Sequence, residues 1–496
     1  MRAYPAPAPL FTAAPQVVGL DEYTQNRLDD LVTVWSKRRW RNQVRQQYLD
    51  LKRPVESLGI SVPEEIAEGL EIVVDWPEKA VYSLANLCQW DGVISADGKD
   101  DPFDLDGVLT QNRFDVEIPQ TIASELTDSC AFISTLHGRP GTDDPEVVIM
   151  SHSAAWATGI WDRRTRSLSS ALTIDEVDDL ERPTQMTIYL PDEWVVIEAP
   201  NGNASGTWAI IDHRLHGLNR VPVELLPFRP TLDRPFGRSR INRRVMTITD
   251  RAVRAALRMD VSSEIYTAPG LLLRGISEEA WQDIAKSWTW KLGTVKAVTR
   301  DEDGTYPEAT QLPQQTMQPF IDQMRELAAE FSGASNVPLS DLGIVQDNPS
   351  SAEAMATAKE NLVIEATNAN KINGYALARV YQNIVMLRDG AGEVSDELSG
   401  VSTRWRNPSM PSIVSQSDAM VKQISAIPDL AKTDVALEQM GYTSEDIVRI
   451  KAQIKTAKAR EALDALVSGV NQNAQQPPQQ PPQAQQQAAQ TPAEEE

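Results

Sequence analysis

Cysteine is almost missing from this sequence. Only Cys88 and Cys130 occur in 496 residues, so no disulfide framework can be drawn and a reducing compartment is expected, with both thiols as small core residues. Long apolar runs are missing too. No stretch reaches the roughly eighteen residues a bilayer-spanning helix needs, which excludes a membrane segment of that kind. The Ala/Pro-rich start, residues 1–15, has no charged region followed by an apolar core, so it is not read as a signal peptide. Positive charge is in deficit: Lys plus Arg is 47 and Asp plus Glu is 70, a net charge of −23. Tight nucleic-acid binding over a whole surface comes from neutralising phosphates with cations, so a repressor, a polymerase and a single-strand binder are disfavoured.

The usual signatures of chemistry are also absent. There is no Gly-x-x-x-x-Gly-Lys-Ser/Thr loop to cradle a nucleotide and no Gly-x-Ser-x-Gly nucleophile elbow. Gly138-Arg139-Pro140-Gly141 is a turn without the lysine. Of the four histidines, His213 and His216 are three apart and suit a shared metal only if a third ligand is nearby, and none is in view. Two acidic stretches, 97–106 and 301–304, resemble calcium loops, but with the glycine at position six the last ligand falls on Arg113 or Thr310. The expectation is no metal, no cofactor and no catalytic residue.

What is present is a hydrophobic fraction of 41% and a charged fraction of 24%, normal for a folded protein and too long a chain for one core. Helical periodicity appears over 20–51, where Leu28, Leu31, Val32 and Trp35 lie beside a basic face of Lys37, Arg38, Arg39, Arg41 and Arg45. A second helix is expected over 76–89. From 120 to 229 short alternating runs separated by turn chemistry predict an antiparallel β region: 131–136, 147–151, 186–189, 194–197 and 208–212. Residues 241–266 lack Gly and Pro and predict a long helix. Its apolar stripe is Val245, Ile248, Ala252, Ala256 and Met259, and its basic stripe is Arg240, Arg244, Arg251, Arg254 and Arg258.

Residues 271–313 read as a small insertion: a strand at 271–274, a helix N-capped by Ser277, a strand at 294–299 and a turn at Asp303-Gly304. A helix over 317–332 follows, closed by Gly333. A loop spans 334–349. Ser350 and Glu353 form a capping box that opens a helix running to Arg388. Residues 410–470 are helical again, broken at Pro428 and Gly441, with a second capping box at Thr443 and Asp446. The Gln/Pro/Ala-rich end, 471–496, has too little apolar surface to fold.

This order resembles the siphovirus-type portal proteins of tailed bacteriophages. The matching residues are Pro235-Phe236-Gly237-Arg238-Ser239 before the first long helix and Ala268-Pro269-Gly270-Leu271-Leu272 after it. Then come Ser335-Asn336-Val337-Pro338-Leu339 with Leu342-Gly343, Asn348-Pro349-Ser350-Ser351-Ala352-Glu353-Ala354, and 437–450 with Gly441 and Glu445. The match spans roughly 221–457.

The resemblance implies an α+β, mainly helical fold with wing, stem, clip and crown around an axial channel. It implies a disordered arm (1–19), a wing (20–234), a first stem helix (235–268) and a clip (269–313). It further implies a second stem helix (314–333), a tunnel loop (334–349), a channel-to-wing helix (350–389), a crown (410–470) and a disordered tail (471–496). The implied function is a ring, usually a dodecamer, at one capsid vertex, a passive conduit for double-stranded DNA in packaging and ejection. The implied partners are the major capsid protein, the terminase large subunit and the head–tail adaptor, with no membrane. The chain is expected in the virion after assembly in the host cytoplasm. The acidic balance suits a wall that must not grip phosphates.

Three groups of residues follow as candidates. Asp341, Gln346, Asp347 and Asn348 are the channel-loop group, polar and without a cation, or else an ordinary surface loop. Arg244, Arg251, Arg254 and Arg258 pair across subunits with Asp322, Glu326 and Glu330, or form a solvated helix face. Trp281, Trp288 and Trp290 contact a partner at the clip, or form the core of the insertion. The competing functions are another capsid-associated connector or scaffold, and a soluble hydrolase with two converging carboxylates.

Overall fold

The computed structural model describes residues 14–54, 72–95, 101–200, 206–267, 271–274, 308–311, 316–344, 352–409, 413–442 and 444–474. The chain divides into two compact units, residues 1–410 and 411–496.

The first unit opens on strand β1 (Val17–Val18) and helix α1 (Glu22–Leu49). Asp21 caps the helix, its carboxylate accepting from the Thr24 amide at 3.0 Å. β1 pairs in parallel with the edge of a strand 190 residues further on, Val17 opposite Trp208. The expected disordered arm is therefore wrong for its last residues: Val17 is buried, and apolar cover outweighs a local Ala/Pro bias.

A six-stranded sheet runs β1-β9-β8-β7-β6-β5, with β5 (Ala157–Asp162), β6 (Ser167–Val177), β7 (Pro183–Tyr189), β8 (Glu193–Glu198) and β9 (Trp208–Leu215). Because side chains alternate along a strand, the sheet has two apolar faces. One packs Leu172, Ile174, Met186, Ile188, Val195, Ile197 and Trp208 onto Leu28, Leu31, Val32 and Trp35 of α1. The other packs Ala171, Tyr189, Trp194 and Val196 into a larger core. That core includes a three-stranded sheet of β10 (Val223–Pro227), β3 (Cys130–His137) and β4 (Val147–Ser153). A small sheet joins β2 (Trp90–Ile94) to β13 (Ser402–Trp405), a pairing across 300 residues that local pattern does not show.

The helices that close this core are α2 (Trp76–Ala85), α3 (Leu105–Gln111), α4 (Phe114–Asp128) and the 38-residue α7 (Ala352–Asp389). The β region begins at Cys130, not at residue 120. Phe114, Ile118, Ile122 and Leu126 recur every fourth residue and are all buried, which makes the preceding stretch a helix. The helix expected over 76–89 stops at Ala85.

Helix α5 (Arg243–Thr267) and helix α6 (Gln318–Ser335) pack side by side. The α5 residues that bury are Val245, Ile248, Ala252, Ala255 and Val261. Ala256 and Met259 of the expected stripe are half-buried. α6 runs through Gly333 and ends at Asn336, whose φ of 58° supplies the left-handed cap expected of the glycine. Between α5 and α6 the described residues are β11 (Leu271–Arg274) and β12 (Glu308–Gln311), antiparallel with Leu271 opposite Gln311. The expected Ser277 helix, the 294–299 strand and the Asp303-Gly304 turn lie outside the described residues, as does Ser350 of the first capping box. Gly390, at φ 66°, closes α7. The short helix α8 (Asp396–Ser399) follows.

The second unit is helical: α9 (Ile413–Ala426), a 3-10 turn (Pro428–Lys432), α10 (Asp434–Gln439) and α11 (Ser444–Ala474). The breaks fall at Pro428 and at Gly441, whose φ is 91°. α11 continues to Ala474, so residues 471–474 of the segment expected to be disordered are helical. Thr443 of the second capping box and the tail itself, 475–496, lie outside the described residues.

Candidate functional site: the helix pair and its buried junction

Two contacts define how α5 and α6 are held. The first is apolar. Val245, Ile248, Ala252 and Ala255 meet Leu327, Ala328 and Phe331, and Trp76 of α2 tilts onto Phe331 with ring centroids 5.3 Å apart. The second is a bidentate ion pair. Arg251 donates to Glu330 at 2.6 and 3.2 Å, within one chain. The acidic partner sought in a neighbouring subunit is, for Arg251, its own chain's Glu330. Arg244 is exposed at the first turn. Asn242 accepts from its amide at 2.9 Å and from that of Val245 at 3.2 Å, and so caps the helix. Arg254 and Arg258 are half-buried on the same helix. Asp322 and Glu326 are exposed on α6, with Gln318 donating to Asp322 at 2.8 Å.

Arg240 does not belong to the stripe. It precedes the helix, and its side chain is 4% exposed. The guanidinium pairs with Glu365 of α7 at 2.7 Å and donates to the carbonyls of Ala80 and, at 2.5 Å, Ser335. Burial pulls its pKa below the ordinary arginine value, while Glu365 opposes that shift. Glu365 is itself 4% exposed and holds two more groups: Arg229 at 2.9 Å and the amide of Asn336 at 3.1 Å. One carboxylate therefore joins the entry to α5, the exit of α6, helix α7 and the 228–240 segment. Burying this charge is tolerable because it is multiply paired.

Two of the motifs that carry the family resemblance, 235–239 and 335–339, meet here. Gly237 has φ 67°, and a Cβ there would lie 2.1 Å from the Phe228 carbonyl oxygen and 2.8 Å from that of Ser129, so only glycine fits. The Arg238 amide donates to Phe228 at 2.7 Å, the Ser239 hydroxyl to Thr127 at 2.5 Å and the Arg240 amide to Leu126 at 2.8 Å. The last two satisfy carbonyls at the end of α4. In the second motif, Ser335 accepts from Arg240, Asn336 reaches Glu365 and Val337 is fully buried. Pattern reading missed Glu365. Its signal is an acid set inside the buried stripe of Leu362, Ala366 and Ala369.

A second buried carboxyl lies deeper in the first unit. Glu125 of α4 is fully buried and accepts from the Asn373 amide of α7 at 2.7 Å. Burial pushes its pKa up to about 8. Glu224 is held by Arg379 at 2.8 Å. Burial raises the Cys88 and Cys130 thiols to about 12, which keeps them as inert thiols.

Of the channel-loop group, Asp341 lies in the 3-10 turn Leu339–Leu342 and pairs with Lys359 of α7 at 3.7 Å. Gln346, Asp347 and Asn348 lie outside the described residues, and so do Trp281, Trp288 and Trp290. Among the described residues no group of three or more His, Cys, Asp or Glu is placed to hold a metal ion. His213 bonds Glu193 at 2.6 Å, and His216 bonds the Leu190 carbonyl at 3.1 Å and stacks on Trp194, so the two serve separate contacts. No described helix is long and apolar enough to cross a membrane.

The buried charges of this site fasten helices to one another. The family described as "Phage portal protein, SPP1 Gp6-like" matches residues 31–460, and the chain belongs to that family of structural virion proteins. The portal protein of Mycobacterium phage L5 is 25% identical over 407 residues, covering 80% of this chain and 82% of that one. The portal protein of Mycobacterium phage D29 is 24% identical over 423 residues, covering 84% and 85%. Among solved structures, a chain from the virion of a native gene transfer agent particle gives a TM-score of 0.40 at 13% identity, covering 71% of this chain and 85% of that one. A chain from the neck of an empty gene transfer agent particle gives the same score and identity, with coverage of 78% and 89%.

Proposed function

We propose that the chain assembles as a ring of identical subunits, a dodecamer, at one capsid vertex and serves as a passive conduit for double-stranded DNA. The family match across 31–460 carries this reading. In this role the ring seats in the major capsid protein shell, docks the terminase large subunit during packaging and then the head–tail adaptor. Assembly takes place in the host cytoplasm. The chain carries no nucleotide-binding loop, so the energy for packaging comes from the docked motor.

The parts are assigned as follows. Residues 20–234 form the wing, 235–268 and 314–333 the stem helices, 269–313 the clip, 350–389 the channel-to-wing helix and 410–470 the crown. Trp281, Trp288 and Trp290 meet the partner at the clip. The tunnel loop is 334–349, with Asp341, Gln346, Asp347 and Asn348 toward the DNA. Head-to-tail rings join two different surfaces of one chain. Since Arg251 and Glu330 bind each other, Arg244, Arg254 and Arg258 are the cations assigned to the Asp322 and Glu326 of a neighbour.

Negative-stain microscopy of the purified chain tests the reading. A turbine-shaped ring with an axial hole is expected, and a compact monomer or dimer discards it. Arg254→Glu with Arg258→Glu is expected to block ring formation in native mass spectrometry, and normal rings sink the stem assignment. Shortening the tunnel loop is expected to impair packaging and leave ring formation intact.

A further inference from the structure

The second unit has a helix with little beneath it. Among its described side chains the buried apolar residues are Met420, Ala436 and Ile447, while Val421, Ile427, Val435, Tyr442, Val448, Ile454 and Leu463 stand exposed. From Lys451 to Leu463 every residue of α11 is exposed. A helical stretch of that length is marginal in water without packing, because helices in proteins are held mainly by burial of an apolar face. The described side chains of this unit bury too little apolar surface to hold that stretch by themselves.

The sequence of α11 shows how many faces await cover. At 3.6 residues per turn, Ile447, Ile450, Ile454 and Ala457 fall on one stripe, and Val448, Ala452, Ala459 and Leu463 on a second stripe about 170° away. Lys451, Lys455 and Lys458 separate them on one side, and Arg449, Gln453 and Arg460 on the other. A helix that packs against one core has one apolar stripe. Its own unit uses the start of the first stripe, where Ile447 is 3% exposed and Lys451 pairs with Asp434 of α10. Ile450 is half-buried, while Ile454 and Ala457 of that stripe and the whole second stripe stay bare, with Ile454 48%, Val448 57% and Leu463 64% exposed.

We infer that α11 packs between copies of itself. One neighbouring subunit covers the Ile454–Ala457 stripe and the other covers the Val448–Leu463 stripe. Two unlike apolar faces on opposite sides of one element fit a closed head-to-tail ring, in which each subunit meets its two neighbours through different surfaces. The cations between the stripes favour this over a stack without register. They stay in water while the apolar stripes are covered, and they keep like-charged faces from meeting. This rests on the ring proposed above and goes beyond it by naming the residues that the second unit contributes to the interface.

The test uses the full-length chain, free of DNA, as rings and as dissociated subunits. Ile454→Cys, Ala452→Cys and Leu463→Cys probe the stripes, and Arg460→Cys probes the polar side. The two native thiols are buried. Maleimide labelling at the three stripe positions is expected to slow by at least about tenfold in the ring, and the rate at position 460 to stay unchanged. Equal rates in rings and subunits at all four positions overturn the inference while leaving the ring intact. Protection that appears only after a double-stranded DNA fragment is added also overturns it, since the helix is then a nucleic-acid surface. If no rings form at all, the proposed function fails first.

Discussion

Replacing Arg240 by leucine tests the junction most directly. Arg240→Leu removes a 2.7 Å pair with Glu365 and two donors to the carbonyls of Ala80 and Ser335. Breaking one side of a buried ion pair costs about 3–5 kcal/mol, because the surviving charge remains buried. Glu365 keeps Arg229 and Asn336, which lowers the loss. The Ser335 carbonyl at the end of α6, left without its donor, raises it again by about 1–3 kcal/mol, whereas Ala80 lies inside α2 and keeps its helical bond. The expected net loss is about 3–5 kcal/mol. Urea unfolding of dilute, unassembled subunits measures it, followed by tryptophan emission to which Trp76, packed on Phe331 at this junction, contributes. The midpoint should fall while the slope stays near the wild-type value. Arg240→Leu with Glu365→Leu should recover the share of the loss that comes from the stranded carboxylate, since no charge then stays buried between them, and leave about 1–3 kcal/mol for the Ser335 carbonyl. A single variant within about 1 kcal/mol of wild type, or a double variant weaker than the single, would refute the account of Glu365 as the junction of these helices.

Other expectations follow from the same structure. Gly237→Ala should cost on the order of 3 kcal/mol in thermal unfolding, because φ 67° and two carbonyl oxygens inside contact distance leave no space for a Cβ; a melting point within a degree or so of wild type contradicts this. Glu125→Gln should flatten a pH dependence. A carboxyl raised from 4.5 to about 8 binds its proton more tightly in the folded state, so its contribution is complete below pH 4.5 and is lost as pH rises through about 8. The wild-type minus Glu125→Gln difference in stability should therefore decline across that window by up to about 1.4 kcal/mol per pH unit. A constant difference argues against a protonated Glu125. Asp128, raised by burial to about 7, acts in the same direction in both proteins. Arg251→Ala should cost under about 1 kcal/mol at low salt and less at high salt, since the pair with Glu330 is half-exposed; a loss above about 2 kcal/mol would contradict its placement.

Much of this protein was legible in its residues. Apolar periodicity located α1, α5, α6 and α11, a capping signal and the glycines after Arg388 bounded the expected α7, and Pro428 and Gly441 marked the breaks of the second unit. Local pattern works there because helix formation depends on neighbours three and four residues away. The excess of acid and the missing nucleotide loop are properties of composition and need no fold. Ordered family motifs such as Pro235-Phe236-Gly237-Arg238-Ser239 identified the family. Tertiary structure decided what those motifs do. Gly237 is required by two carbonyls, one nine residues back at Phe228 and one from the distant Ser129. Arg240 left the exposed stripe to which its spacing assigned it, because its partner Glu365 lies 125 residues away. Asn336, not Gly333, ends α6 because its amide is held by that same carboxylate. The β2–β13 pairing and the burial of Val17 likewise join segments far apart in sequence. The physical reason is common to all of these. Spacing along the chain reports which residues share a face, whereas desolvation and pairing of a buried charge depend on which faces meet.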